Sequence, residues 1–211
     1  MTGPTSHRRV VHVVDDDDSI RTALSRLLGA ERFEVYTYAS AREFVERGAE
    51  GARGCVVLDL SMPGIGGLDL QEILARDPDA LPIVFLTGHG DIPASVRAMK
   101  GGAVDFLTKP VERERLLAAI ETALARDAER HRRRDHLRTV QARFDDLTPR
   151  EREVFDLLVT GMPNKQVGAA LGTTERTVKA HRAQVMRKLG VDSVAGLVHV
   201  AVTLGRSGAA S

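Results

Sequence analysis

The chain has 211 residues, 43% of them hydrophobic, which suffices for one large or two small packed domains and argues against disorder. Its single cysteine, Cys55, excludes an intramolecular disulfide framework and any multi-cysteine zinc site, and no apolar run is long enough to span a membrane. The net charge of +1 conceals an asymmetry: residues 1–125 hold 14 basic and 19 acidic residues, net −5, and residues 126–211 hold 16 and 10, net +6. An acidic half joined to a basic half points to two tasks, the second on a polyanion. The opening stretch Met1–Arg9 has no apolar signal core, so the expected location is cytoplasmic.

In chain order, the first half alternates short apolar runs with amphipathic stretches. Val10–Val14, Glu34–Tyr36, Gly54–Leu58, Pro82–Leu86 and Val104–Leu107 read as five buried strands, being short and mostly rich in β-branched or aromatic residues. Cys55 falls in the third of these and reads as a small buried hydrophobe. Helical patterns lie between them at Ser19–Leu28, Ala41–Arg47, Leu68–Arg76 and Ile92–Lys100, and a fifth begins near Glu112. Five alternations of strand and helix imply an α/β fold, an open doubly wound parallel sheet.

The fifth helical pattern carries an apolar stripe at Leu116, Ile120, Ala123 and Leu124. It then becomes almost wholly charged over Arg126–Arg138 and resumes at Leu137, Val140 and Phe144. This reads as a helical linker, either self-pairing or simply solvated. A new helix starts at Thr148-Pro149-Arg150-Glu151, where Thr148 suits the N-cap, Pro149 the first helical position, and Glu151 closes a capping box. Pro149–Val159, Lys165–Leu171, Glu175–Leu189 and Ser193–Leu204 follow as short helices with a tight glycine turn at Gly172. They fit a small all-α helix-turn-helix domain. The expected division is an N-terminal stretch 1–8 without structure, an α/β domain 9–125, a linker 126–146, a helical domain 147–205 and an unstructured end 206–211.

Polar residues gather where the strands end. Asp15 and Asp16 follow strand one, Asp59 ends strand three, Thr87 ends strand four and Lys109 follows strand five. In a doubly wound sheet, ligands bind at the carboxyl ends of the strands, and order 2-1-3-4-5 would bring Asp15, Asp16 and Asp59 together. Crowded carboxylates repel unless a cation balances them, and a hard divalent ion, Mg²⁺ or Mn²⁺, suits oxygen ligands. A carboxylate is also a nucleophile able to form an acyl phosphate. Asp59 stands alone on the central strand and suits that part, while the pair suits a metal clamp. Lys109 can neutralise a phosphoryl group and Thr87 can hydrogen-bond to it, with Gly88 leaving room. Separately each feature has a plainer reading: an Asp run caps a helix, with Asp17 or Asp18 suited to it, and Lys-Pro makes a turn.

Together these residues resemble the receiver domains of two-component response regulators. The matching stretches are Val13-Val14-Asp15-Asp16, Leu58-Asp59-Leu60-Ser61-Met62-Pro63-Gly64, Thr87-Gly88 and Asp105-Phe106-Leu107-Thr108-Lys109-Pro110. The resemblance implies a flavodoxin-like fold with Asp59 as phosphoacceptor. It implies Asp16 as direct Mg²⁺ ligand, Asp15 acting mainly through water, and the Ser61 backbone carbonyl completing the protein ligands. It also implies a cis peptide before Pro110, and Phe106 at an aromatic switch position often held by Tyr.

The second half resembles LuxR-type helix-turn-helix domains, and the two halves together resemble the NarL/FixJ family. The carrying residues are Leu147-Thr148-Pro149-Arg150-Glu151, Asn164-Lys165-Gln166-Val167, Thr177-Val178-Lys179-Ala180-His181 and Lys188-Leu189-Gly190-Val191. The loop Thr87-Gly88-His89-Gly90-Asp91-Ile92-Pro93 points to the FixJ-like subgroup. Val178, Val185 and Leu189 sit at core-facing helical spacing, which leaves Thr177, Lys179, Ala180, Arg182, Ala183 and Arg187 toward a major groove. Asn164 is expected to cap the scaffold helix. Lys165 suits a phosphate contact, Thr174 joins the DNA-facing set, and His181 serves either as a phosphate contact or in packing. Ala183 stands where some relatives place a second basic contact.

The implied partners are a histidine kinase, double-stranded promoter DNA and a second copy of the chain upon phosphorylation. The implied chemistry is confined to self-phosphorylation and slow self-dephosphorylation, not that of an enzyme. One rival is a phosphorylation-independent DNA-binding regulator with a vestigial receiver, against which stands the full set of pocket residues. The other is a metal-dependent phosphatase, which would need a second carboxylate where Ser61 stands.

Overall fold

The computed structural model describes residues 9–48, 52–88 and 92–206. The chain divides into two compact units, Met1–His131 and Arg132–Ser211. The first contains strands β1 (Val10–Val14), β2 (Glu34–Tyr38), β3 (Cys55–Leu58), β4 (Ile83–Thr87) and β5 (Asp105–Thr108). Between them lie helices α1 (Asp18–Ala30), α2 (Ala41–Arg47), α3 (Gly67–Leu74) and α4 (Ile92–Lys100). The strands form one parallel sheet in the order β2-β1-β3-β4-β5.

Side-chain alternation along the strands builds two cores. Val11, Val13, Cys55, Val57, Val84 and Leu86 face Leu24 and Leu28 of α1 and Leu116 and Ile120 of the following helix. Val14, Val56, Leu58, Ile83 and Phe85 face Phe44 of α2, Leu70 and Leu74 of α3, and Ala98 of α4. A run such as Cys55–Leu58 is apolar throughout because both its faces are covered, as parallel sheets require.

Element ends differ slightly from the expected ones, for local reasons. Strand two extends from Tyr36 to Tyr38 because Thr37 and Tyr38 pair with Val13 and Val14. Strand four starts at Ile83, since Pro82 has no amide to give the ladder and contributes only its carbonyl, which accepts from Val56 N at 2.9 Å. Asp17 caps α1, accepting from Ser19 N.

Helix α5 runs unbroken over Arg113–Asp145. The charged stretch from Arg126 was expected to be linker from its first residue, but the first compact unit extends through His131. Asp127 and His131 are buried. Asp127 Oδ2 accepts from Gly54 N at 3.0 Å, and Arg130 donates both to Asp127 and to Ala80 O. Farther along, Val140 and Phe144 are buried in the second unit, whereas Leu137, expected in the same stripe, is exposed.

The second unit comprises α6 (Pro149–Val159), α7 (Asn164–Ala170), α8 (Glu175–Leu189) and α9 (Val194–Thr203) around Val154, Phe155, Val167, Val178, Val185 and Leu197. Thr148 and Glu151 form the expected capping box of α6. Asn164, expected to cap α7, is instead its first residue and makes no cap hydrogen bond. Pro163, at φ −63° and ψ 146°, already supplies the extended cap backbone. Gly172 turns between α7 and α8 at φ +62°. Residues 1–8 and 207–211, expected to lack structure, lie outside the described residues, as do His89, Gly90 and Asp91. Arg206, expected in the unstructured end, is placed: its amide donates to Ala201 O at 2.8 Å and its guanidinium lies 4.6 Å from the Phe144 ring centroid.

Candidate phosphorylation pocket and DNA-reading helix

Register positions the acidic residues. Val14 pairs with Leu58, so Asp15 and Asp59, the next residue of each strand, emerge side by side at the carboxyl edge. The ladder continues past the assigned strands, with Asp59 N donating to Val14 O at 2.9 Å and Lys109 N donating to Thr87 O at 2.8 Å. Backbone bonds thus hold Asp59 and Lys109 in place. Arg21 adds a donor to Asp15 O at 2.8 Å, a support that its sequence position did not suggest.

The side chains converge on one ammonium. Lys109 Nζ donates to Asp15 Oδ2 at 2.6 Å and to Asp59 Oδ1 at 2.9 Å. The remaining carboxylate oxygens accept from backbone amides, Asp15 Oδ1 from Asp17 N at 2.9 Å and Asp59 Oδ2 from Ser61 N at 2.6 Å. Asp15 and Asp59 are buried. Burial disfavours the Lys109 ammonium, but its bonds to the two carboxylates outweigh that and hold its pKa above the ordinary lysine value. The Lys109–Pro110 peptide is cis, as the resemblance implied.

Thr87 is buried at the end of β4, and Phe106 is half-buried with its ring centroid 5.9 Å from that of Phe85. Asp16 and Ser61 are exposed at the rim. Among the described residues no three His, Cys, Asp or Glu side chains gather closely enough to hold a metal ion. The donor chemistry nevertheless suits a hard cation. Two buried carboxylates, Asp15 and Asp59, share one ammonium, which leaves a net negative charge at the pocket, while the side chain of Asp16, expected to join them, is exposed and does not gather with the pair.

In the second unit, Val178, Val185 and Leu189 of α8 point into the core. Lys179, Ala180, Ala183 and Arg187 are exposed on α8, as are Thr174 at its N-cap and Lys165 on α7. Thr177, His181 and Arg182 are half-buried. Thr174 Oγ1 accepts from Thr177 N at 3.2 Å, so both threonines serve the cap. Glu175 was not among the sequence candidates, yet its Oε1 lies 2.9 Å from Lys179 Nζ; their spacing of four was the available signal.

The model for the response regulator receiver domain matches residues 11–121, and that for bacterial regulatory proteins of the luxR family matches residues 145–201. The chain is a response regulator. It belongs to the family that joins a receiver to a LuxR-type DNA-binding domain and acts in transcription regulation. The regulator is 45% identical to nodulation protein W of Bradyrhizobium diazoefficiens, over 96% of this chain and 89% of that one. It is 42% identical to the transcriptional regulatory protein FixJ of Azorhizobium caulinodans, over 92% of each chain. Among solved structures it resembles the response regulator StyR, with a TM-score of 0.81 and 48% identity over 92% of this chain and 98% of that one. It also resembles full-length FixJ from B. japonicum, with a TM-score of 0.57 and 37% identity over 95% of this chain and 98% of that one. No helix among the described residues is long and apolar enough to cross a membrane.

The helical unit of the regulator is fastened by an ion pair. Lys188 Nζ donates to Glu151 Oε2 at 2.6 Å and to Asp146 O at 3.1 Å, fastening α8 to the capping box of α6. Burial disfavours the Glu151 carboxylate, but the bonds from Lys188 and Thr148 prevail and lower its pKa from 4.5. A carboxyl group with a depressed folded-state pKa stabilises the fold above its unfolded pKa, and that stability is lost as pH falls through the folded value. Lys188→Met is expected to destabilise this unit by about 2 kcal/mol at neutral pH, since it strands a buried carboxylate. Denaturant melts of wild type and variant should converge as pH drops below about 4.5, the unfolded value. A constant gap down to pH 3 would show that the pair is not responsible.

Proposed function

We propose that this regulator accepts a phosphoryl group from a histidine kinase on Asp59 and that phosphorylation promotes dimerisation and DNA binding. The observation that carries the reading is the Lys109 ammonium bonded to both Asp15 and Asp59 at the carboxyl edge of the sheet. An incoming phosphoryl group adds negative charge at that point, where Lys109 can transfer one of its bonds to a phosphoryl oxygen. Asp15, Asp16, Asp59 and the Ser61 backbone carbonyl are the residues that would hold Mg²⁺ or Mn²⁺. When bound, such an ion supplies charge neutralisation of the phosphoryl oxygens. Asp59 attacks as the carboxylate, forming its oxygen–phosphorus bond as the phosphorus–nitrogen bond to the kinase's histidine breaks and that histidine leaves; Thr87 donates its hydroxyl to a phosphoryl oxygen, and Phe106 follows Thr87 inward. The same pocket would return the protein slowly to its starting state by hydrolysis.

The face of α4 next to β5 suits the dimer. Ile92, Val96 and Met99 lie at helical spacing and are 80%, 45% and 47% exposed, an apolar stripe left uncovered. Val198 and Val202 of α9 are exposed as well and would add contacts. Moving a monomer–dimer or inactive–active balance from 1:99 to 99:1 takes about 5.5 kcal/mol of differential binding, within reach of several charge-assisted bonds to one phosphoryl group. Light scattering on the full chain with Mg²⁺, with and without beryllofluoride as phosphoryl mimic, tests this. A doubling of mass is expected. Equal mass in both conditions would sink the dimer switch and favour release of an occluded DNA-reading helix.

For the second unit the proposed contacts are Lys165, Thr174, Thr177, Lys179, Ala180, His181, Arg182, Ala183 and Arg187, with α8 in the major groove. Lys179→Ala is expected to lower affinity for the target site by about 1–3 kcal/mol if it meets a base edge. Lys165→Ala should weaken binding to all sequences alike and flatten its salt dependence. Titrations on specific and unrelated duplexes at several salt concentrations separate the two. No effect of either substitution would remove α8 from the groove.

A further inference from the structure

Glu175 sits at the first position of α8, on the surface assigned above to DNA, and it is an acid among bases. With Lys165 and Arg182 it lines a cleft of about 450 Å³. Its Oε1 lies 2.9 Å from Lys179 Nζ one turn along the helix, and the Lys179 and Glu175 side chains are 64% and 46% exposed. The bond from Lys179 lowers the Glu175 pKa, with a further contribution from Lys165, so the carboxylate is ionised at neutral pH.

A carboxylate in that position opposes every phosphate it nears, so it cannot serve the sequence-independent part of binding. As an exposed pair spaced by four it adds little to helix stability. What it offers is an acceptor held beside a donor. The major-groove edge of a G·C pair is complementary: guanine presents the acceptors N7 and O6, and cytosine presents the N4 amine.

We propose that Glu175 is a specificity-determining residue that acts with Lys179 as an acceptor–donor pair for the major-groove edge of one G·C base pair. Lys179 donates to guanine O6 and N7, and Glu175 accepts from the cytosine N4 amine. Lysine alone, on a flexible four-carbon stem, reaches guanine acceptors on either strand. Tethered to Glu175 at the helix start, it serves only the orientation that puts cytosine under the carboxylate. Glu175 therefore selects G·C over C·G.

The inference rests on the DNA-reading role of α8, and the experiment distinguishes the two. Full-length protein with beryllofluoride selects from randomised duplexes, alongside Glu175→Ala, Glu175→Gln and Lys179→Ala. Wild type is expected to prefer G·C over C·G about tenfold at one position of each half-site, the scale of a single good base contact. Glu175→Ala should bring that ratio near one and raise affinity for unrelated DNA. Glu175→Gln, which keeps an acceptor but not the charge that holds Lys179, should fall between. Circular dichroism melts confirm that each variant is folded, and a purely structural role would not change base preference. A wild-type motif kept unaltered by Glu175→Ala overturns the inference while leaving the DNA reading intact. Absence of any selected motif with wild type overturns the DNA reading itself.

Discussion

Asp59→Asn is expected to abolish phosphoryl uptake from acetyl phosphate in the presence of Mg²⁺, measured by intact-protein mass spectrometry. The amide is nearly the same shape, but it has no anionic oxygen to attack phosphorus. It can still accept from Ser61 N, so the loop after β3 should hold and the loss should be chemical rather than structural. Asp16→Ala should also fail, by weakening the metal. Lys109→Ala should behave differently. It removes the cation shared by Asp15 and Asp59, leaving two buried carboxylates facing each other. Divalent-ion affinity should persist or rise, because the metal then becomes the balancing charge. The response to phosphorylation should be lost, because nothing couples the phosphoryl group to the start of α5. Stoichiometric, base-labile phosphate on Asp59→Asn would place the acceptor elsewhere.

Gly54→Ala is expected to destabilise the receiver unit by about 3 kcal/mol or more, read from the denaturant midpoint. Gly54 precedes β3 at φ +107°, a conformation that side chains rarely adopt, and an added Cβ would lie 2.1 Å from Val10 O. The adjacent strand therefore has to move. The same residue gives its amide to Asp127 Oδ2 on α5, so displacement would also break that buried bond. Asp127→Ala isolates the second effect, and about 1–3 kcal/mol is expected for the stranded amide together with the lost Arg130 and His131 partnership. If Gly54→Ala melted like wild type, the close approach of β1 and the Gly54 segment would be wrong.

Much of the receiver was legible because each of its signals is local. Apolar runs bounded by polar turns marked β1 to β5, and the parallel sheet followed from their alternation with helices. Once the strands were placed, Asp15, Asp59, Thr87 and Lys109 fell at strand ends by counting alone. In the second half, Thr148 and Glu151 announced α6 through a capping box spanning only four residues. Asn164 misled for the same reason. Its identity favours a cap, but Pro163 beside it had already fixed the extended backbone.

Sequence by itself thus determined most of what depends on near neighbours: the helix starts other than that of α7, strand identity, most core faces and the stock of acidic and basic groups. The tertiary structure alone decided pairings between distant residues. Lys109 meeting Asp15 and Asp59 at once depends on the register of three strands. The end of the receiver unit at His131, rather than at Ala125, depends on Asp127 finding the amide of Gly54, whose position no periodicity reports. The clamp of Lys188 on Glu151 joins residues 37 apart in the chain. Hydrophobic patterning repeats every two or 3.6 residues and carries no information about which buried polar group meets which. Those meetings are set by the need to satisfy each buried donor and acceptor once the apolar cores have closed around them.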